Sequence, residues 1–152
     1  MTPHIIGRSR RVLGLLSAVP LIGAGLAGVA GAAASVPVLA GLNITPATVP
    51  AGTGAALVAT ATNTTGAPVA VSLGVNLPGG VAVSGVSGTG GCTPRVLTRL
   101  IYCGATGVPS QGAATIRFTV TPGATGSYPF QSYARVMYSS ANSTATQTLT
   151  AR

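Results

Sequence analysis

Residues Cys92–Thr121 read CTPRVLTRLIYCGATGVPSQGAATIRFTVT and contain both cysteines of the chain, separated by ten residues. Downstream of the second cysteine, Ala114, Ile116, Phe118 and Val120 alternate with Thr115, Arg117, Thr119 and Thr121. Successive side chains of a strand point to opposite faces, so this segment makes a strand with one apolar and one polar face. Two cysteines in an exported chain are expected to pair. Their spacing does not match CxxC, and no further Cys or nearby His exists to complete a metal shell. A Cys92–Cys103 bond closes a loop of about twelve residues and is expected to contribute about 2–3 kcal/mol.

The same alternation recurs on both sides. Strands are expected at 42–45, 55–62, 69–77, 97–103, 113–121, 128–138 and 143–151, with a short one begun by Val81 and Val83. The longest one-sided strand sets Val69, Val71, Leu73, Val75 and Leu77 against Ala70, Ser72, Gly74 and Asn76. Turn chemistry separates them: Pro46 and Pro50, Asn63–Pro68, Pro78-Gly79-Gly80 and Pro122-Gly123. Residues 84–91 are rich in Gly and Ser and are expected to form a loop. Seven or eight short strands, no helical period outside the N-terminal segment and no internal repeat predict one all-β, two-sheet sandwich. Its core should be thin, because Ala, Gly, Thr, Val and Ser dominate the composition.

The missing residue types exclude whole classes of chemistry. The 152 residues hold eight Arg, no Lys, no Asp and no Glu, for a formal charge of +8. Without carboxylates there is no general-base pair, no oxygen cage for calcium or magnesium and no acid to orient a histidine. The one histidine, His4, lies in the N-terminal segment. The chain is therefore expected to be no enzyme and to need no cofactor or metal.

Met1–Arg11 ends in the basic cluster Arg8-Ser9-Arg10-Arg11, and residues 12–34 carry no charge and are apolar. Gly31-Ala32-Ala33-Ala34 supplies the small residues of a cleavage site. Residues 1–34 are thus expected to be a helical signal peptide, 35–41 a linker and 42–152 the sandwich. An uncleaved anchor is the alternative, since the uncharged run reaches Leu42 and is long enough to span a bilayer. Ser9-Arg10-Arg11-Val12-Leu13 also resembles a twin-arginine motif, beside the reading as an ordinary basic start. Each of these readings places the domain outside the cytoplasm, secreted or associated with the cell envelope. The Ala/Gly/Arg-rich signal looks bacterial.

An Asn63-Thr64-Thr65-Gly66 turn is followed by an amphipathic strand ending in Leu77-Pro78-Gly79-Gly80-Val81. Then come Cys92, Ile101-Tyr102-Cys103, a Gly-containing turn before Ala114, and a strand closing in Val120-Thr121-Pro122. In this order the motifs resemble the immunoglobulin-like DUF11 domain of exported bacterial surface proteins, over about Leu42–Ala151. The resemblance implies an immunoglobulin-like sandwich at the cell surface. It implies no catalytic residues.

Arg95, Arg99, Arg117, Arg135 and Arg152 have no carboxylate side chain to pair with, so each is solvated or binds something outside the chain. Spread charges that keep a Thr-rich β surface soluble are the plain reading. A basic face for an anionic wall polymer is the functional one. Tyr128, Phe130, Tyr133 and Tyr138 concentrate aromatic residues in one region. They are either core and rim residues or a sugar-stacking site. The candidate ligand-binding set is Arg95, Arg99, Arg117, Arg135, Tyr128 and Tyr133. Asn43, Asn63 and Asn142 open N-x-[ST] triplets and are read as turn and strand residues without a glycan. The expected role is a structural or adhesive surface module; the alternative is a binding domain for anionic or carbohydrate wall polymers. Partners are then wall polymers or other surface proteins. No nucleic acid is expected, and membrane contact only with an uncleaved segment.

Overall fold

The computed structural model describes residues 36–152; the signal segment expected at 1–34 lies outside them. They form ten strands: β1 (Val38–Thr45), β2 (Thr48–Val49), β3 (Ala55–Asn63), β4 (Val69–Asn76), β5 (Val81–Thr89), β6 (Arg95–Leu97), β7 (Leu100–Val108), β8 (Ala113–Pro122), β9 (Gly126–Val136) and β10 (Ser143–Ala151). One sheet has the order β1-β3-β8-β5 and the other β2-β10-β9-β4-β7-β6. All pairings are antiparallel except the short β2–β10 pair.

Alternation places the core as the sequence predicts. Leu57, Ala59 and Ala61 of β3 and Ile116, Phe118 and Val120 of β8 point inward from the four-stranded sheet. Val71, Leu73 and Val75 of β4, Ile101 and Cys103 of β7, and Phe130 and Ala134 of β9 point inward from the six-stranded sheet. These side chains join in one hydrophobic core. Many are alanines, so the layer is thin, and polar side chains help bind it. Buried Asn63 donates to the carbonyls of Ala67 (2.8 Å), Val108 (2.9 Å) and Pro109 (3.1 Å). Its Oδ1 accepts from the backbone N–H (2.9 Å) and hydroxyl (2.7 Å) of Thr65. The amide nitrogen that the Asn63 triplet would offer a glycan is thus committed inside the fold.

The structure departs from the sequence reading in five places. The first strand begins at Val38, not Leu42, so 38–41 of the expected linker belong to β1. Val38 is fully buried, and the small Gly41 fits against Thr60 of β3. The loop expected at 84–91 is mostly β5. Gly85, at φ +63°, and an irregularity between Ser84 and Ser87 let the strand pass its polar residues without leaving β8. The strand expected at 97–103 is a hairpin. β6 turns at Thr98-Arg99 into β7, which runs on to Val108. Thr48–Val49, between two prolines, forms an unexpected strand by pairing in parallel with β10. Finally, Tyr128 is core and not surface. It is 9% exposed, and its hydroxyl donates to the Ala124 carbonyl at 2.8 Å. A tyrosine at a strand start bonded to upstream backbone is the tyrosine corner of Greek-key sandwiches.

Cys92 and Cys103 are disulfide bonded, with their Cα atoms 5.5 Å apart. The bond ties the segment leading into β6 to the middle of β7, across the base of the β6–β7 hairpin.

Candidate functional site

The outer face of the six-stranded sheet carries a depression of about 290 Å³. Ser72, Tyr102, Gly104, Tyr133, Arg135 and Met137 line it, and Leu73 and Cys103, whose alternation turns their side chains to the core, complete its floor. β4 runs through the middle of this sheet. Gly74 is paired with Tyr102 of β7 on one side and Tyr133 of β9 on the other. In the next row Ser72 is paired with Gly104 and Arg135. Two tyrosines therefore flank a glycine, and an arginine follows the second of them on the same face.

The glycines create the depression. The Tyr133 ring occupies the space that a Cβ at Gly74 would fill, so the ring lies down across β4. A Cβ at Gly104 would come within 2.8 Å of the Met137 Cε. Covering a strand glycine with an aromatic ring restores packing that the missing side chain forfeits. Here it also leaves a half-buried ring on the outer surface.

The Ser72, Tyr102 and Tyr133 hydroxyls and the Arg135 guanidinium make no hydrogen bond to one another or to any other of the described residues. None of them is an orphaned buried group, since every buried side-chain nitrogen and oxygen among those residues is satisfied. They are open to solvent, and with no Asp or Glu in the sequence no side chain can neutralise Arg135.

Next to Met137 stands Tyr138, with 96% of its surface exposed. The Ser139 N–H donates to the Val136 carbonyl at 3.0 Å, closing a four-residue turn with Tyr138 at its third position and at φ +65°. That left-handed conformation favours glycine or asparagine, and a bulky aromatic there is strained.

The candidates named from sequence separate in space. Tyr133 and Arg135 line the depression. Arg95 on β6 is paired with Tyr102 and ends the row Arg95–Tyr102–Gly74–Tyr133. Arg99 lies at the β6–β7 turn with its guanidinium over Gly79. Arg117 projects from the outer face of the other sheet, between Val58 and Ser87. Arg152 follows β10 and is held by backbone bonds to Val49 and Ala51. The arginines thus make no single basic face. Ser72, Tyr102 and Met137 went unnoticed as site residues. Tyr102 is outward by its alternation with Ile101 and Cys103, yet only the register across β4 brings it beside Tyr133. Among the described residues there is no cluster of His, Cys, Asp and Glu able to hold a metal ion.

No protein-family model matches the chain, so the resemblance to the DUF11 domain has no match at that level. No curated protein matches it either. Solved structures do match. A CARDB domain from Pyrococcus furiosus is similar at 15% identity and a TM-score of 0.51, over 76% of this chain and 87% of that one. The seventh ScaB type I cohesin from Pseudobacteroides cellulosolvens is similar at 10% identity and 0.52, over 75% and 92%. The full-length major pilin SpaD from Corynebacterium diphtheriae is similar at 11% identity and 0.50, over 72% of this chain and 34% of that one. The expected all-β, immunoglobulin-like two-sheet sandwich is the fold this chain adopts.

Proposed function

We propose that this chain is an exported, non-catalytic β-sandwich module that acts at the cell envelope by adhesion, through the outer face of its six-stranded sheet. One observation carries the reading: Tyr102, Tyr133, Ser72 and Arg135 are gathered by register on one face, with hydrogen-bonding groups that nothing in the described fold satisfies. The non-catalytic part rests on the absence of Asp and Glu from the whole sequence and of His and Lys from residues 36–152. Export rests on the basic, apolar and small-residue order of residues 1–34 and on a disulfide in the domain that follows.

The test is fractionation followed by binding. The full chain, produced in a bacterial host, should lose residues 1–34, and the processed protein should be retained on isolated cell envelopes. Arg135→Gln combined with Tyr102→Ala should release it, while Arg117→Gln on the opposite sheet should not. Recovery of unprocessed protein in the cytoplasm, or no retention of the wild type on envelopes at low salt, would sink the proposal.

A further inference from the structure

Resting on that reading, we infer that the groove binds an acidic sugar: a pyranose unit of a polysaccharide carrying a carboxylate or phosphate. The groove offers three kinds of contact, and this ligand uses each.

The first is a flat apolar platform. Tyr133 is laid across Gly74, so one side of its ring is covered by the strand and the other is presented outward. A pyranose has a C–H face of similar area that packs on such a ring. The second is a planar cation. The Arg135 guanidinium is a fork that matches the two oxygens of a carboxylate or phosphate, and this protein has no carboxylate side chain to pair with it. The third is a set of neutral hydroxyls on Ser72, Tyr102 and Tyr133, which donate and accept as sugar hydroxyls do.

Size and layout agree. At about 290 Å³ the depression lies just below the range of ligand pockets, about 300 to 1,000 Å³, and suits a single small unit. Arg95 lies three strands from the strand of Arg135 and one row off it, about 14 Å across the strands and about 7 Å along them, with Tyr102 and the Tyr133 ring over Gly74 in the intervening row. A ligand crossing the strands obliquely would meet Arg95, the two rings and then Arg135. A nucleic-acid strand calls for a closer line of cations along its phosphates, and Arg99 and Arg117 are turned elsewhere.

Tyr138 supplies an independent sign. Tyr138 follows the lining residue Met137 in a strained turn and exposes a bulky aromatic that packs on little of the fold, and such strain concentrates at binding sites. Glycine at this position relieves the strain, so stability and binding should respond in opposite directions.

The experiment is calorimetric titration of the processed protein with four probes: a galacturonic acid hexamer, a sugar-phosphate oligomer, a neutral galactose hexamer and a thymidylate hexamer. At least one acidic glycan should bind, at least about tenfold more tightly than the neutral one. The better of the two acidic probes identifies the source of the charge. Arg135→Gln should weaken that binding about tenfold or more, and Arg117→Gln, with the same loss of charge, less than about twofold. Tyr138→Gly should weaken binding without lowering Tm. Equal binding of neutral and acidic glycans, equal losses from Arg117→Gln and Arg135→Gln, or tighter binding of the thymidylate would each overturn the inference. Retention on envelopes without affinity for either acidic glycan also overturns it and leaves the envelope role standing. Loss of envelope retention itself removes that role.

Discussion

The Ser132 hydroxyl on β9 donates to the Gly41 carbonyl on β1 at 3.1 Å, bridging the two sheets. One residue away, the Ala40 N–H donates to the Ser143 hydroxyl of β10 at 3.1 Å. Two serines of the six-stranded sheet therefore hold adjacent backbone groups of β1, the edge strand of the other sheet. An edge strand is the weak side of a sandwich, and these bonds close it where few large apolar side chains are available.

Ser132→Ala should destabilise the domain by about 1–2 kcal/mol, because Ser132 is fully buried and its removal leaves the Gly41 carbonyl without this partner. Thermal unfolding should show Tm lower by about 3–8 °C. An unchanged Tm would mean that β1 is held by its pairing with β3 alone.

Stability should vary little with pH in the acid range. Acid unfolding is driven by native carboxylates that must be protonated and buried neutral histidines that must charge. Residues 36–152 contain no Asp, Glu or His. Denaturant midpoints should be nearly constant between about pH 4 and 8, and a steep loss in that window would contradict this account.

Asn63→Asp should install the missing pH dependence. The new carboxyl would face the carbonyls of Ala67, Val108 and Pro109 while buried. Burial and those acceptors favour its protonated form, raising its folded pKa above the ordinary value of about 3.9. The variant is then most stable below about pH 4. It loses about 1.4 kcal/mol per pH unit as pH rises, until the folded carboxyl ionises. Urea titrations at stepped pH read this slope directly, and Asn63→Ala separates it from simple loss of the hydrogen bonds.

Reducing the disulfide, or replacing both cysteines by serine, should lower stability by about 3 kcal/mol. The loss should be local at first. Hydrogen exchange should accelerate in β6, which touches only β7 within its sheet, before it does in the central strand β8. Uniform acceleration would assign the bond a global role.

Gly74→Ala should displace the Tyr133 ring, since the new methyl takes the space the ring occupies. Binding should fall about tenfold or more, while Tm shifts by less than about 5 °C because the ring can turn outward. The chain has four tyrosines and no tryptophan, so tyrosine fluorescence reports the displacement. Full affinity with a displaced ring would remove Tyr133 from the contact surface.

Alternation along single strands was enough to reveal the sandwich. Ile116, Phe118 and Val120, and Val71, Leu73 and Val75, turn inward as their period of two requires. The cysteine pair was equally legible, because only one partner was available. Residues 84–89 and 38–41 were not. Gly and Ser leave 84–89 little apolar pattern, and Val38-Leu39-Ala40-Gly41 is apolar throughout with no alternation; what makes both segments strands is pairing with β8 and β3, distant in the sequence. The groove lies further still from local reading. Tyr102 and Tyr133 are far apart along the chain, and each is merely an outward tyrosine on its own strand. They meet because both pair with Gly74, and pairing register depends on three strands at once. The same logic separated Arg117 from Arg135, whereas alternation along β9 alone sets Tyr128 on the inward side with Phe130 and opposite Tyr133. By itself the sequence determined a carboxylate-free β-sandwich with one clasp; which outward side chains share a face was decided by tertiary register, because strand alternation specifies inside and outside but not neighbours.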